Sequence, residues 1–299
     1  MSDKPPALSV VIAATTSLAE ARACLETIAR QSDGRPVEIL VTHSNGTPPA
    51  DWVRDYPGVT FLSLPPGAPL PRHLGVAVAR AAGEIIAVTE GTCEIGDGWV
   101  GAILENHQSP HPVVGGAVEP RDLRTPVDWA AYFSEYGQFM LPLAAGQTAE
   151  VPGNNLSLKR WALAHGRQFV DGEFWKTLWC RHLQAEGHRL YAAPSPVVYY
   201  RKSFRFWPFL VRRVHHGRCF AGMRVAQLTR ARRVLHLVTV PGLPVLFCAR
   251  VFRAVLPKRR YRGQFFASVP IIVLATIAWT IGEFVGYLGG PGEGCRHVR

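Results

Sequence analysis

Short β-branched apolar runs alternate with amphipathic stretches through the first half of the chain. Leu8-Ser-Val-Val-Ile-Ala-Ala14 is apolar almost throughout, the pattern of a strand covered on both faces in a parallel sheet. Behind it Ser17 and Glu20 stand at capping-box spacing, and Leu18, Ala21, Leu25, Ile28 and Ala29 fall on one stripe at helical period. Gly34 closes that unit, and Val37-Glu-Ile-Leu-Val-Thr42 reads as a second strand ending in the polar turn His43-Ser44-Asn45-Gly46. A β-α-β opening of this kind requires a right-handed crossover. A connection rich in proline (Pro65, Pro66, Pro69, Pro71) precedes a small-residue helix over roughly His73 to Ala82, with Gly83 placed to end it. Glu84 to Thr89 reads as the next buried strand, Gly98-Trp99 opens another helix, and Val113 to Glu119 is a further strand. The alternation predicts an α/β domain.

Beyond Pro120 the pattern weakens. Trp129, Tyr132, Phe133, Tyr136 and Phe139 crowd one aromatic stretch ahead of the turn Pro152-Gly153-Asn154-Asn155. A helix over about Glu173 to Glu186 carries Phe174, Leu178, Trp179 and Leu183 at a spacing suited to packing on the sheet. From Arg201 to Arg233, Phe204, Phe206, Trp207, Phe209, Leu210 and Val211 are set among basic residues with no acid, as in a helix lying in the lipid headgroup layer. Leu235 to Leu256 is apolar but interrupted by His236, Pro241, Pro244, Arg250 and Arg253, and reads as re-entrant or interfacial. Phe265 to Leu288 has Glu283 as its sole charge and is long enough for a hydrocarbon core of about 30 Å; its other reading is a buried core helix. Between them, Lys258-Arg259-Arg260-Tyr261-Arg262 belongs on the cytoplasmic side of a membrane. The organisation expected is a catalytic-size domain over 1–200, a basic amphipathic segment over 201–233 and a hydrophobic anchoring region over 234–299.

Charge sharpens this division. Residues 201–299 hold 18 Lys/Arg against Glu283 and Glu293, so the net charge of +11 is concentrated in the apolar third of the 299 residues. Basic charge beside long apolar runs fits an anionic membrane surface and argues against nucleic acid as the partner. Charged residues at 18% with a mean hydropathy of +0.05 exclude disorder for the bulk of the chain. The cysteines, Cys24, Cys93, Cys180, Cys219, Cys248 and Cys295, form no C-x-x-C pair and no His stands at zinc-finger spacing, which argues against a structural zinc or a disulfide framework. Leu8 to Ala14, preceded by Asp3 and Lys4, is too short for a secretory signal.

Ligands of parallel α/β sheets bind beyond the carboxyl ends of the strands. Three such ends are polar here: Thr15-Thr16, His43-Ser44-Asn45 and Glu90-Gly91-Thr92. Short hydrogen-bonding side chains converging there can hold a base, a ribose and phosphates; alternatively they only form turns. The sequence contains neither G-x-G-x-x-G nor a P-loop motif, which argues against dinucleotide and P-loop chemistry.

Taken together, the motifs resemble family 2 glycosyltransferases. Ser9-Val-Val-Ile12 with its helix, Glu38-Ile-Leu-Val41 with a polar end, and Arg72-His-Leu-Gly75 running to Ala81-Ala82-Gly83-Glu84-Ile-Ile86 look like the family's opening. Glu90-Gly91-Thr92 with Gly98-Trp99 resembles its acidic DxD turn, Gly115-Gly116-Ala117-Val118 the strand after it, and Pro152-Gly153-Asn154-Asn155 through Arg160 its acceptor-side segment. Asp171-Gly172-Glu173, then Gly187-His-Arg-Leu190 and Pro194, resemble the catalytic acidic helix and the strand that follows. The likeness spans about residues 7 to 225 and is carried by order and spacing, not by any single motif.

The resemblance implies a GT-A fold and transfer of a sugar from a nucleotide-sugar donor, commonly with Mg²⁺ or Mn²⁺ on the DxD acids. For members with hydrophobic C-terminal helices it implies work at the cytoplasmic face of the inner membrane on a lipid-linked or surface-polysaccharide acceptor. It implies Glu173 as the base for the attacking hydroxyl, with Asp171 as substitute, and Ala13, Thr15, His43, Asn45, Arg72, Glu90 and Thr92 around the donor. Asn154 and Asn155 fall on the acceptor side. His216 and Arg218 fall where members carry a basic clamp for the leaving diphosphate, although a basic face on lipid headgroups explains them equally. This chain departs from the family twice. His43 with Ser44 and Asn45 stands where an Asp is usual, and Glu90-Gly91-Thr92 lacks the second carboxylate, the usual ligand of a hard cation. Glu94 or Asp97 could complete a site with Glu90, or Arg218 or Lys202 could neutralise the diphosphate without metal. A domain that keeps the fold but serves as a non-catalytic, membrane-tethered scaffold is the rival expectation.

Overall fold

The computed structural model describes residues 5–32, 34–44, 46–225 and 228–298, which form two compact units. One is drawn from the chain up to Arg121 and from Phe139–Arg201, the other from Asp122–Gln138 and from Lys202 onward.

In chain order the first unit supplies β1 (Leu8–Ala14), α1 (Leu18–Gln31), β2 (Val37–His43), α2 (Ala50–Asp55), β3 (Val59–Ser63), α3 (Leu70–Arg80), β4 (Ile85–Glu90), β5 (Cys93–Ile95), α4 (Trp99–Asn106) and β6 (Val113–Pro120). After α5 (Pro126–Glu135), which belongs to the second unit, it resumes with β7 (Gly146–Thr148), β8 (Leu156–Lys159), α6 (Lys176–Ala185) and β9 (Leu190–Tyr200). Among the described residues nine strands form one sheet, ordered β3-β2-β1-β4-β8-β6-β9-β5, with β7 added on β9. The first four run parallel, β8 is antiparallel between β4 and β6, and β9 returns parallel to β6. All of β1 is buried, as its unbroken apolar run requires. Ser17 accepts the Glu20 N–H at 3.2 Å and caps α1, which turns Leu18, Ala21, Leu25 and Ile28 into the core. Under the other face, Val11, Leu40, Leu74, Val88, Leu156, Phe174, Trp179 and Leu183 pack in one cluster. Each such fully buried aliphatic side chain contributes roughly 1.5–3 kcal/mol relative to exposure.

The second unit comprises α5, α7 (Phe206–Val225), α8 (Arg230–Thr239), α9 (Leu243–Val255) and α10 (Arg262–Gly289). α5 starts on a capping box between Thr125 and Asp128, and the Asp128 carboxylate also accepts from Ser203 Oγ at 3.0 Å and Phe204 N at 2.8 Å. Two stretches, Arg230–Lys258 and Arg262–Gly289, are long and apolar enough to cross a membrane, with mean hydropathies of 1.7 and 2.0. Despite its prolines the first is helical nearly throughout, α8 and α9 being joined by a 3₁₀ turn over Val240–Gly242. α7, read from sequence as a helix on the headgroup layer, is packed against α10. A Cβ on Gly282 would lie 2.9 Å from Arg218 N and one on Gly286 2.8 Å from Ala221 Cβ, so only glycine permits this approach. At the other end of α10, Phe133 of α5 meets Phe265 at 5.2 Å between ring centroids, and Trp129 meets Tyr261 at 4.9 Å.

One expectation is overturned. Cys219 on α7 and Cys295 in the turn after α10 form a disulfide, 76 residues apart in sequence. Spacing could not reveal the pair, because only the fold brings the C-terminal turn onto α7, where a Cβ on Gly294 would stand 2.9 Å from the His215 carbonyl oxygen. Cys24, Cys93, Cys180 and Cys248 are not part of a disulfide.

Candidate active site

The carboxyl ends of β1, β2 and β4 lie side by side. Ala13 pairs with Thr42 on one side and Glu90 on the other, and Ala14 pairs with His43. Of the expected donor residues, Ala13 and Glu90 thus share one row of the sheet and His43 lies in the next, with Thr15 just beyond it, half-buried. Asn45 lies outside the described residues. His43 is buried, with Nε2 3.3 Å from Ser63 Oγ and no partner at Nδ1 among the described residues; burial pushes its pKa down, so the imidazole is neutral at pH 7.

α3 ties this row to a segment a hundred residues away. His73 is fully buried and spans two residues of the β2 end, Nδ1 standing 3.0 Å from Thr42 Oγ1 and Nε2 3.0 Å from Ser44 Oγ. One residue earlier, Arg72 donates to the Gly172 carbonyl at 2.9 Å, and the Phe174 N–H donates to the Pro71 carbonyl at 2.7 Å. A Cβ on Gly75 would stand 2.7 Å from the Glu173 nitrogen, so the absence of a side chain there is what lets the Asp171–Glu173 loop reach α3. Sequence reasoning noted the run Arg72-His-Leu-Gly75 but gave His73 no role. A histidine on the buried stripe of a short amphipathic helix was the available signal.

Glu173 is not on a helix. α6 starts at Lys176, three residues later than expected, and Glu173 occupies the bend before it, where Oε2 accepts the Trp175 indole N–H at 3.0 Å. Its carboxylate is half-buried, whereas Asp171 is exposed and paired with Arg167 at 3.4 Å. Of the two, Glu173 is the better placed to accept a proton at a sheltered site.

The turn Glu90-Gly91-Thr92 packs tightly on α1. The Gly91 N–H donates to the Ala13 carbonyl at 2.9 Å, and a Cβ there would come within 2.8 Å of Ala21 Cβ. Thr92 has a buried hydroxyl with no hydrogen-bond partner among the described residues. Glu94 is ion-paired to Arg121 and, at 3.3 Å, to Arg201, so it is not the second carboxylate the turn lacks; Asp97 is exposed in the next turn. The residues present therefore fit a divalent ion only if the donor's own phosphates supply most of its ligands, with Glu90 as the protein carboxylate.

The two asparagines part company. Asn155 is consumed internally: its Nδ2 donates to the Ala117 and Pro196 carbonyls at 2.8 and 3.0 Å, and its Oδ1 accepts from Trp99 Nε1 at 2.9 Å. That arrangement binds β6, β9 and α4 together and leaves nothing for an acceptor. Asn154 donates to Cys93 Sγ at 3.3 Å, beside the Glu90–Thr92 turn, and its Oδ1 has no donor among the described residues. His216 and Arg218 belong to the second unit, on α7. His216 is buried and, chiefly through that burial, its pKa is pushed well down, so it is neutral at pH 7. Arg218 donates to the Gly290 carbonyl at 3.3 Å, satisfying the C-terminal end of α10.

No family model and no curated protein sequence matches this chain. Its structure is similar to that of the mannosyltransferase PcManGT from Pyrobaculum calidifontis, solved with GDP-Man and Mn²⁺, at a TM-score of 0.58 and 15% identity over 94% of this chain and 88% of that one. GalNAc-T7, solved with UDP, GalNAc and Mn²⁺, aligns at 0.49 and 10% identity over 67% of this chain and 44% of its own. TarS of S. aureus aligns at 0.49 and 14% over 89% and 54% respectively, so the chain spans about half the length of these two. The first of these likenesses establishes the fold class: a GT-A-like α/β domain carrying C-terminal helices apolar enough to cross a membrane.

Proposed function

We propose that the protein is a membrane-attached glycosyltransferase that moves a sugar from a nucleoside-diphosphate donor to a lipid-linked or surface-polysaccharide acceptor. The observation that carries this is the bridge through α3, which hydrogen-bonds both to the β2 end and to the Glu173 loop. The base of the donor would lie by the β2 end, beside His43 and Ser44, and its diphosphate near Glu90 and Thr92. A Mg²⁺ or Mn²⁺ ion held by Glu90 together with that diphosphate would supply charge neutralisation for the departing group. Arg72, fixed at the mouth of the loop, adds a permanent cation for the same developing charge. Glu173, aligned by Trp175, would take the proton of the attacking acceptor hydroxyl, with Asp171 too exposed to replace it.

The second unit supports the membrane half of the proposal. On α10, Phe265, Ile272, Gly282 and Gly286 are covered by protein, whereas Phe266, Val273, Leu274, Ile277, Ile281, Phe284 and Leu288 are exposed, and Val234, Leu235, Val238, Val245 and Leu246 on α8 and α9 are exposed too. Such a surface beside so much Lys and Arg suits the anionic cytoplasmic leaflet of an inner membrane.

Transfer of radiolabelled sugar from a panel of nucleotide sugars into the organic-extractable fraction of membranes tests the proposal. Turnover by the wild type that Glu173→Gln abolishes is the expected result. No turnover with any donor, in membranes holding folded protein and the native acceptor pool, would transfer the case to a non-catalytic tethered scaffold.

A further inference from the structure

At the opposite end of the sheet from Glu90, three histidines gather around one carboxylate. β8 reaches the start of β4 at Lys159, and β9 begins beside the start of β6, so the chain segments leaving β8 and entering β9 converge there. His165 Nδ1 is 2.7 Å from Glu186 Oε2, and His182 Nε2 is 3.1 Å from Glu186 Oε1. One ligand atom each from His165, Glu186 and His188 lies within 4.8 Å of the others. All four side chains are half-buried or at the surface, within reach of an ion from solution.

Each residue is delivered by a fixed backbone feature. The His165 carbonyl accepts the indole N–H of the buried Trp179 at 2.9 Å. His182 and Glu186 are one helical turn apart at the end of α6, a spacing that puts both on one face. Gly187, with φ +90°, reverses the chain so that the His188 N–H returns to the Leu183 carbonyl at 2.9 Å and its ring meets that of His165 edge-on at 4.9 Å. Linear spacing could not show this set, since His165 is separated from the other three by the whole Asp171–Glu173 loop and most of α6.

We propose that His165, Glu186 and His188 form a Zn²⁺ site, with His182, its Nε2 3.1 Å from the second oxygen of Glu186, orienting that carboxylate. Two imidazoles and a carboxylate are donors of the kind that ion takes, and three protein ligands leave the fourth tetrahedral position to a water. Tetrahedral ligands at about 2.0–2.1 Å are separated from one another by roughly 3.4 Å. Bringing the present donors to that separation takes small side-chain rotations, and the His165–Glu186 hydrogen bond gives way to coordination. Bound there, the ion would cross-link the two ends of the segment that carries Glu173.

The test uses the full chain in detergent, without a histidine tag and after chelator treatment, titrated calorimetrically with ZnCl₂ alone. One equivalent of Zn²⁺ binds, and His165→Ala and His188→Ala each weaken it by roughly tenfold or more, with circular dichroism unchanged. His111→Ala, which alters a histidine outside the cluster, leaves the affinity as it was. Absence of binding by folded wild-type protein overturns the site, as does an affinity that neither alanine variant changes. Should those variants misfold, the wild type carries the test with Co²⁺: at one equivalent the intense visible bands of a four-coordinate ion support the site, and the weak bands of a six-coordinate ion overturn it.

Discussion

At the scale of single residues the proposed base and two buried histidines can be tested separately. Glu173→Gln keeps the shape and the acceptance of the Trp175 N–H but removes the proposed base, so kcat should fall by about 10²–10⁴ with donor binding retained, whereas Asp171→Asn should change it little. His73→Leu leaves Thr42 and Ser44 without their shared partner at a buried position, a loss of about 1–3 kcal/mol that thermal melting would read directly. His107, its Nε2 2.8 Å from Ser157 Oγ, has its pKa pushed down to about 4, first by burial and then by Lys159. The unfolded chain therefore takes up a proton near pH 6.5 that the folded one refuses. Stability should be full above that pH, decline as pH falls from 6.5 to about 4 by ~3 kcal/mol, and level off below. Melting curves of the wild type and His107→Gln across that range would show the decline only in the former.

At the scale of elements, the parallel strands were legible because their residues are apolar on both faces, and a run such as Leu8–Ala14 has no other stable use. Boundaries moved where local chemistry overrode pattern. α3 begins at Leu70, since Pro71 is tolerated in a first turn, and α6 begins only after Glu173 has turned to meet Trp175 and α3. The short β3 and β5 went unseen, being brief strands recognisable mainly by their neighbours. The pairing of α7 with α10 rests on Gly282 and Gly286, which looked like ordinary small residues in an apolar run. Gly282→Leu would drive a side chain into the α7 backbone, and a loss of about 1–3 kcal/mol or more with a lower melting temperature is expected; Ile281→Leu, on the exposed face, should be neutral.

At the scale of the whole molecule, the exposed apolar faces of α8–α10 should hold the protein on membranes through a wash at high salt and release it into detergent, the opposite of a protein held by basic charge alone. Recovery in the salt wash, read by immunoblot, would remove the anchoring role from these helices. By itself the sequence determined the α/β core, the polar strand ends and the basic, apolar C-terminal third, because hydrophobic periodicity and charge are local properties that each segment carries alone. Only tertiary structure decided that Arg72, His73 and Gly75 join the β2 end to the Glu173 loop, that Asn155 is spent inside the protein, and that Cys219 meets Cys295. It also decided that His165, Glu186 and His188 converge on one point. Those relations depend on which surfaces bury one another, and burial is settled by the whole chain at once.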